Sequence, residues 1–377
     1  MCLELRVFYP YRKPHGREFA SRLCGSVAMS DMRAHSPAVS PAVSPALPAA
    51  LSAALASRLD GRGRQELKAR AQRLSEAYRA RQPTAGTIRD EDDALAYALT
   101  RLPATYAATI AVLGRLHHEQ PDLTPLSLLD AGSGTGAAAW AACAVWPELA
   151  QVTMLDRSRA FLALAGALAA GSGAAPLNAA DFVNADLTRL PATLAGGDLV
   201  IAAYALTELA ETALPAVAEA LWERVSSTGA LVLVEPGTPR DHARLMAVRD
   251  RLIALGARIV APCPHQAACP VAGDDWCHFS VRLPRSRDHM FLKEGVVPFE
   301  DEKFSYIVAR RVGVPATGRI IAPLRLAKPG VTARLCEPAG INETFTPRRD
   351  KPAYDMMRRK DWGDAVAPSR ALSGENQ

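Results

Sequence analysis

The chain has 377 residues and a net charge of +5, with 49% hydrophobic, 22% charged and only 6% aromatic side chains. That is enough apolar material for a sizeable core, and the length suits about two domains. No run approaches the roughly 18 apolar residues of a spanning helix, which argues against an integral membrane protein. Seven dispersed cysteines argue against a small disulfide-stapled scaffold.

The charge is uneven. Residues 1–129 carry 17 basic and 12 acidic side chains, residues 130–239 carry 4 and 11, and residues 240–370 carry 23 and 15. Basic flanks around an acidic middle suit a polyanionic partner, although an Arg-rich composition alone looks the same.

Residues 1–46 are expected to stay outside the folded core. "SPAVSPAVSPALPAA" is a short Ser-Pro-Ala repeat of linker type. Residues 1–28 are basic and lack the apolar run of a secretory signal. They read equally as a targeting segment or as sequence upstream of a true start at Met29 or Met32.

Residues 47–122 form a predicted helical region. "LPAALSAALASRL" and "GRQELKARAQRLSEAYRA" repeat apolar residues every three or four positions. Asp90 starts "DEDDALAYALTRL" with acidic residues in its first turn, where they favour the helix dipole. Pro103 is expected to end or bend that helix, and "ATYAATIAVLGRLHHEQ" to continue as a helix up to Pro121.

Residues 123–260 alternate short apolar strands with helices. The strands are "LSLLD", "QVTMLD", "DFVNAD", "DLVIAAYAL" and "ALVLVEP"; the helices are "AAAWAACAVW", "SRAFLALAGALAAG" and "LPAVAEALWERVSS". Near-continuous apolar strands, each followed by a helix, predict an α/β domain with a doubly wound parallel sheet. In residues 261–370 the regularity weakens. "KFSYIVARR" and "RIIAPLRLA" read as strands, and "DKPAYDMMRRKDWGD" as a short helix and turn.

"LLDAGSGTGAAAW" is the sharpest motif of the α/β domain. Asp130 closes the first strand, and Gly132, Gly134 and Gly136 make the turn into a helix. Glycine serves where φ is positive and where a ligand must approach the backbone. The spacing is G-x-G-x-G, which differs from the dinucleotide and phosphate-loop patterns. An acidic strand end followed by this loop is the texture of an S-adenosylmethionine site. The next strand ends at Asp156, twenty residues after Gly136, and the third at Asp186. Carboxylates at successive strand ends suit the ribose and adenine of that ligand. The plainer reading is an α/β domain that keeps the loop only as a turn.

No catalytic residue is assigned. After the fourth strand stands "AAYALTEL" rather than the [DNS]-P-P-[YF] of many base N-methylating enzymes. Glu208 and Glu235 occupy strand-end positions suited to a base, and equally to a helix start or a supporting carboxylate.

Cys263, Cys269 and Cys277 fall within fifteen residues, and Cys336 follows. Pro264 and Pro270 stand directly after two of them and stiffen the chain beside a sulfur ligand. Four thiolates satisfy a structural zinc or an iron–sulfur cluster. The C-x₂₋₄-C spacing usual for zinc is absent, and the looser spacing suits a larger cluster. Free buried cysteines are the bland alternative.

The combination resembles the Rsm-type family of methyltransferase-like proteins of the small ribosomal subunit, known from mitochondria and also present in bacteria. The resemblance runs from "RLPATYAATIAVLGRL" through "SLLDAGSGTGAAAWAA", "LVLVEPGTP" and the cysteine block with "DWCHFSVRLPRS" to "RLCEPAG" and the terminal "RRKDWGD". The cysteine block and the final "WGD" are its most specific parts. The resemblance implies a Rossmann-like S-adenosylmethionine methyltransferase fold and a [4Fe–4S] cluster on Cys263, Cys269, Cys277 and Cys336, zinc being the alternative. It also implies a role in maturing the small ribosomal subunit through contact with its rRNA, with methyl transfer to that rRNA if active; the chain is expected to be a cytoplasmic monomer. The alternatives are a non-catalytic assembly factor on the same fold and a zinc-stabilised small-molecule methyltransferase. The basic C-terminal region, with Phe279, Tyr306, Tyr354 and Trp362 interleaved, is the expected RNA surface, while for any single residue the plainer reading is a core aromatic or a solvated charge.

Overall fold

The computed structural model describes residues 43–80 and 86–366. Residues 1–42, which hold most of the expected N-terminal segment and linker, lie outside the described residues, as do Cys2 and Cys24.

The helical region begins with α1 (Ala49–Ser57), which buries Leu51 and Leu55, and α2 (Arg64–Arg79), which buries Leu67, Ala71 and Leu74. These are one-sided stripes at three- and four-residue spacing, as the pattern predicts. Next comes α3 (Glu91–Glu119). Asp90 caps it by accepting from the Asp93 backbone N–H at 2.8 Å. Pro103 neither ends nor divides this helix: α3 runs through it for 29 residues. A proline removes one hydrogen bond and crowds the preceding turn. Here Leu99, Leu102, Tyr106, Ile110 and Leu113 are all buried along α3. Burial on this scale is worth about 1.5–3 kcal/mol for each large side chain, more than one lost bond.

The α/β region follows as β1 (Ser127–Ala131), α4 (Ala137–Val145), β2 (Gln151–Asp156), α5 (Arg159–Ala169), the short α6 (Ala175–Asn178), β3 (Asp181–Asn184) and β4 (Gly197–Ala203). It continues with α7 (Leu214–Glu223), β5 (Val225–Pro236), α8 (Pro239–Ala254) and β6 (Arg258–Ala261). Beyond residue 261 come β7 (Phe279–Pro284), α9 (Arg287–Lys293) and β8 (Phe299–Arg310). The strands lie in the order β3-β2-β1-β4-β5-β8-β6, with β7 paired along the first half of β8. From β3 to β5 every pairing is parallel, and β8 runs antiparallel between β5 and β6. Leu128 and Leu129 join hydrophobic clusters on opposite faces, the period-two alternation of a sheet covered on both sides. This is a doubly wound, mostly parallel, Rossmann-like sheet. The "KFSYIVARR" strand is part of it, so the large sheet takes in chain from beyond residue 260.

A second, antiparallel sheet is built from β9 (Gly318–Ile320), β10 (Arg325–Leu326), β11 (Gly330–Glu337), β12 (Gly340–Pro347) and, after α10 (Lys351–Met357), β13 (Ala365–Val366). The expected "RIIAPLRLA" strand is split into β9 and β10 around Pro323, which cannot donate to a ladder. Ile320, Ala333 and Leu335 form the small core of this sheet.

Candidate functional site

The glycine loop sits at the carboxyl end of β1, where open α/β sheets bind ligands. Gly132, Gly134 and Gly136 have φ of +77°, +53° and +88°. At Gly132 a Cβ would also stand 2.7 Å from the Ala205 Cβ, so both conformation and space require glycine there. Gly132 and Ser133 donate their N–H groups to the Leu155 carbonyl at 2.8 and 2.9 Å, stitching the loop to β2.

A pocket opens beside the loop at the carboxyl ends of the strands. Gly132, Gly134, Asp156 and Asp186 line it together. Asp156 is 9% exposed, and its two oxygens accept from the Gly134 N–H at 2.9 Å and the Ser158 N–H at 2.7 Å. Burial raises its pKa, and those two bonds oppose the rise. Asp186 is held below its ordinary value, chiefly by the backbone N–H and hydroxyl of Thr188 at 2.8 and 2.7 Å. Asn184 bonds the carbonyls of Asp156 and Arg157, which fixes the spacing of the two strand ends.

Asp130 and Gly136 do not line the pocket. Asp130 lies beneath the loop, 1% exposed, and accepts from the Ala139 N–H at 3.1 Å. It does from a distance what a capping side chain would do, because the residue before α4 is Gly136. Its other oxygen is buried without a hydrogen-bond partner, and burial pushes the carboxyl up to about 7.

Glu208 lines the pocket, whereas Glu235 does not. Glu235 is buried and accepts from the backbone N–H groups of Leu206 and Thr207 at 2.9 and 2.8 Å, holding the turn after β4. Burial pushes it up to about 8. Tyr204 directly follows β4 with φ of +58°, and its hydroxyl donates to Glu302 at 2.7 Å. Tyr97 and Phe161, with ring centres 4.8 Å apart, complete the apolar wall. Sequence reasoning missed these three aromatics, because an aromatic at helical or strand spacing reads as core.

The four cysteines named from the sequence line one small cavity. Cys263, Cys269 and Cys277 come from the irregular segment between β6 and β7, and Cys336 arrives on β11 of the second sheet. All four are free thiols. Burial pushes Cys263 and Cys277 up and Cys336 up to about 12, and neighbouring thiols raise Cys277 and Cys336 further. His265 Nδ1 lies 3.2 Å from the Ala267 carbonyl, which can only accept. Its Nε2 therefore faces the Cys336 sulfur, 3.7 Å away, as an acceptor. Among the described residues no three His, Cys, Asp or Glu side chains are grouped closely enough to hold a single metal ion.

One buried arginine, Arg319, lines the cavity. Arg319 donates to the Pro262 carbonyl at 3.0 Å and the Gly363 carbonyl at 2.9 Å and pairs with Glu119 of α3. Arg334 of β11 pairs with Asp275 at 2.6 Å. Trp276 stacks on His278, whose ring meets Trp362 edge-on at 4.9 Å.

The expected RNA surface is smaller than the sequence suggested. Phe279 and Tyr306 are 0% and 2% exposed and belong to the core, so they cannot stack on bases. Arg249, Arg310 and Arg319 are fully buried as well. A group of exposed cations lies on and beside the second sheet and α10, including Arg325, Lys328, Arg348, Arg349, Arg358 and Arg359. Tyr354 lies between Arg348 and Arg358, each within 6 Å of its ring.

A family model described as mitochondrial small ribosomal subunit Rsm22 matches residues 91–367. The chain belongs to the Rsm22 family. It is 31% identical over 298 residues to the human protein named "Ribosome assembly protein METTL17, mitochondrial", covering 72% of this chain and 62% of that one. The fission-yeast (Schizosaccharomyces pombe) "Rsm22-cox11 tandem protein 2, mitochondrial" is 30% identical over 197 residues, 47% of this chain and 25% of that protein. The chain thus spans less than two thirds of these relatives. Both are mitochondrial by name, which runs against the expected cytoplasmic compartment. Among solved structures, the magnesium protoporphyrin IX methyltransferase of Synechocystis with bound SAM covers 60% of this chain and 85% of its own, at 16% identity and a TM-score of 0.35. TrmN from Thermus thermophilus covers 56% and 52%, at 18% identity and a TM-score of 0.35. Likeness at that level carries no functional argument. No helix among the described residues is long and apolar enough to cross a membrane.

Proposed function

We propose that this Rsm22-family chain is a maturation protein of a mitochondrial-type small ribosomal subunit that binds S-adenosylmethionine and rRNA. The carrying observation is the pocket in which Gly132, Gly134, Asp156 and Asp186 meet at three neighbouring strand ends. The loop backbone suits the aminoacyl part of the ligand, Asp156 its ribose hydroxyls and Asp186 its adenine amine. RNA contact is assigned to the exposed cations of the second sheet and α10, where Arg side chains pair with phosphates and Tyr354 offers a stacking face.

The cysteine cavity fits a four-thiolate group. Four free sulfurs from two separate parts of the chain surround one apolar space, with a buried guanidinium beside it. A [4Fe–4S] cluster suits that spread better than one zinc ion, which needs its ligands drawn close around a single centre. When bound, such a cluster supplies a covalent tie between the β6–β7 segment and the second sheet.

A non-catalytic assembly role is favoured by the end of β4. Ala203, Tyr204 and Ala205 stand there, and the Tyr204 hydroxyl is committed to Glu302. Calorimetric titration with S-adenosylmethionine, followed by incubation with labelled ligand and immature small subunits, tests both parts. Absence of ligand binding overturns the pocket assignment. Binding with label transferred to rRNA overturns the non-catalytic reading.

A further inference from the structure

Arg249 lies on α8 and is 0% exposed. An arginine is almost never fully buried without dedicated partners. Its Nη2 donates to the carbonyls of His265 and Ala267 at 3.0 and 2.7 Å, both within the segment joining Cys263 to Cys269. Its Nη1 meets Asp250 at 2.9 Å, but that carboxylate is 65% exposed, so solvent screens the pair. Arg319 differs, because its carboxylate partner Glu119 is only 10% exposed. The Arg249 Nε–H is buried and has no hydrogen-bond partner. The charge of Arg249 also acts on Cys263 and Cys336, against the burial that raises both thiols.

A buried cation with one unused donor, clamped beneath the cysteine segment, is placed to meet negative charge that collects beside it. We propose that Arg249 is a positioning residue for the four-thiolate group: it holds the Cys263–Cys269 segment in its ligating shape and supplies charge balance and an N–H to a cysteine sulfur. The inference rests on the four-thiolate reading above. Positive charge and hydrogen bonds to sulfur stabilise the reduced form of such a group, so their loss lowers its reduction potential.

The test uses full-length wild type, R249K and R249Q, each reconstituted anaerobically with iron and sulfide. The readouts are midpoint potential by optical redox titration and metal retention against a chelator. R249Q is expected to have a lower potential and to release metal about 10- to 100-fold more readily. R249K, which keeps the charge but not the guanidinium fork, is expected to restore the potential while retaining metal less well. R249Q with wild-type potential and retention overturns the role of Arg249 alone. Where R249Q does not fold, R249K decides: wild-type retention overturns the role, and weakened retention in a folded chain supports it. Wild-type protein that takes up neither iron nor sulfide overturns the four-thiolate reading itself, and the role of Arg249 with it.

Discussion

Asp156 accepts a hydrogen bond from the backbone N–H of Gly134 at 2.9 Å, joining the end of β2 to the tip of the glycine loop. The same carboxylate accepts from Ser158 at 2.7 Å, at the start of α5. One side chain therefore shapes the loop and also presents its remaining lone pairs to the pocket. Replacing Asp156 by Ala removes both bonds. Hydrogen bonds to charged groups are worth about 1.5–3 kcal/mol, so affinity for S-adenosylmethionine is expected to fall roughly tenfold or more by calorimetric titration. Unchanged affinity would remove Asp156 from the site.

Gly132 and Gly134 separate stability from binding. Gly132→Ala places a Cβ 2.7 Å from Ala205 at φ of +77°, whereas a Cβ at Gly134 meets nothing within 4 Å. The first change combines left-handed strain with overpacking and is expected to cost about 2–5 kcal/mol in denaturant unfolding. Gly134→Ala carries only the strain, about 1–2 kcal/mol, but crowds the face that the ligand must approach. Its main effect is expected on ligand affinity.

Asp130 gives the fold a pH dependence. Burial pushes its folded-state pKa up to about 7 from an ordinary 3.8, so the folded chain binds the proton more tightly than the unfolded one. The stabilisation is complete below about pH 4 and is lost as pH rises toward 7. Asp130→Asn can still accept from Ala139 and places an uncharged group where the partnerless oxygen stands. The variant is expected to lack that decline, so urea unfolding between pH 4 and 8 should show wild type losing stability relative to it. Parallel curves would show that Asp130 stays ionised.

Cys269→Ser is expected to abolish iron and sulfide incorporation and visible colour, and to lower the melting temperature through the second sheet. Cys143→Ala is the control, because Cys143 lies on α4 and does not line the cavity. Equal metal content in the two variants would sink the ligand assignment.

Arg348 and Arg349 test the RNA surface. Both are exposed, and Arg348 flanks Tyr354. Replacing each by Ala is expected to weaken binding to small-subunit rRNA and to reduce the salt dependence by roughly one unit of slope for each phosphate no longer neutralised. A slope equal to that of wild type would move the RNA elsewhere.

Much of the fold was legible because hydrophobic burial writes a local period. The strands from "LSLLD" to "ALVLVEP" and their helices each satisfy a pattern that can be read within a few residues. The glycine loop was legible because positive φ demands glycine wherever it occurs. The four cysteines were readable as a group by their type, and the family by its motifs. Pro103 was misleading because a helix's own bonds are weak beside the tertiary burial of its stripe.

Only the tertiary structure decided which residues meet. That β8 enters the large sheet between β5 and β6 depends on pairings such as Ala230 with Arg310 and Arg258 with Arg310, far apart in the chain, which no local pattern encodes. The same holds for Cys336, brought by β11 to a cavity whose other sulfurs lie far back in the chain. Charge was the least legible property. Sequence counts Arg249, Arg310 and Arg319 as surface cations, yet each is fully buried, because a guanidinium satisfied by carbonyls and carboxylates can enter a core that a bare charge cannot. The net charge of +5 therefore conceals a difference in kind between cations exposed to solvent and the three arginines buried in the core.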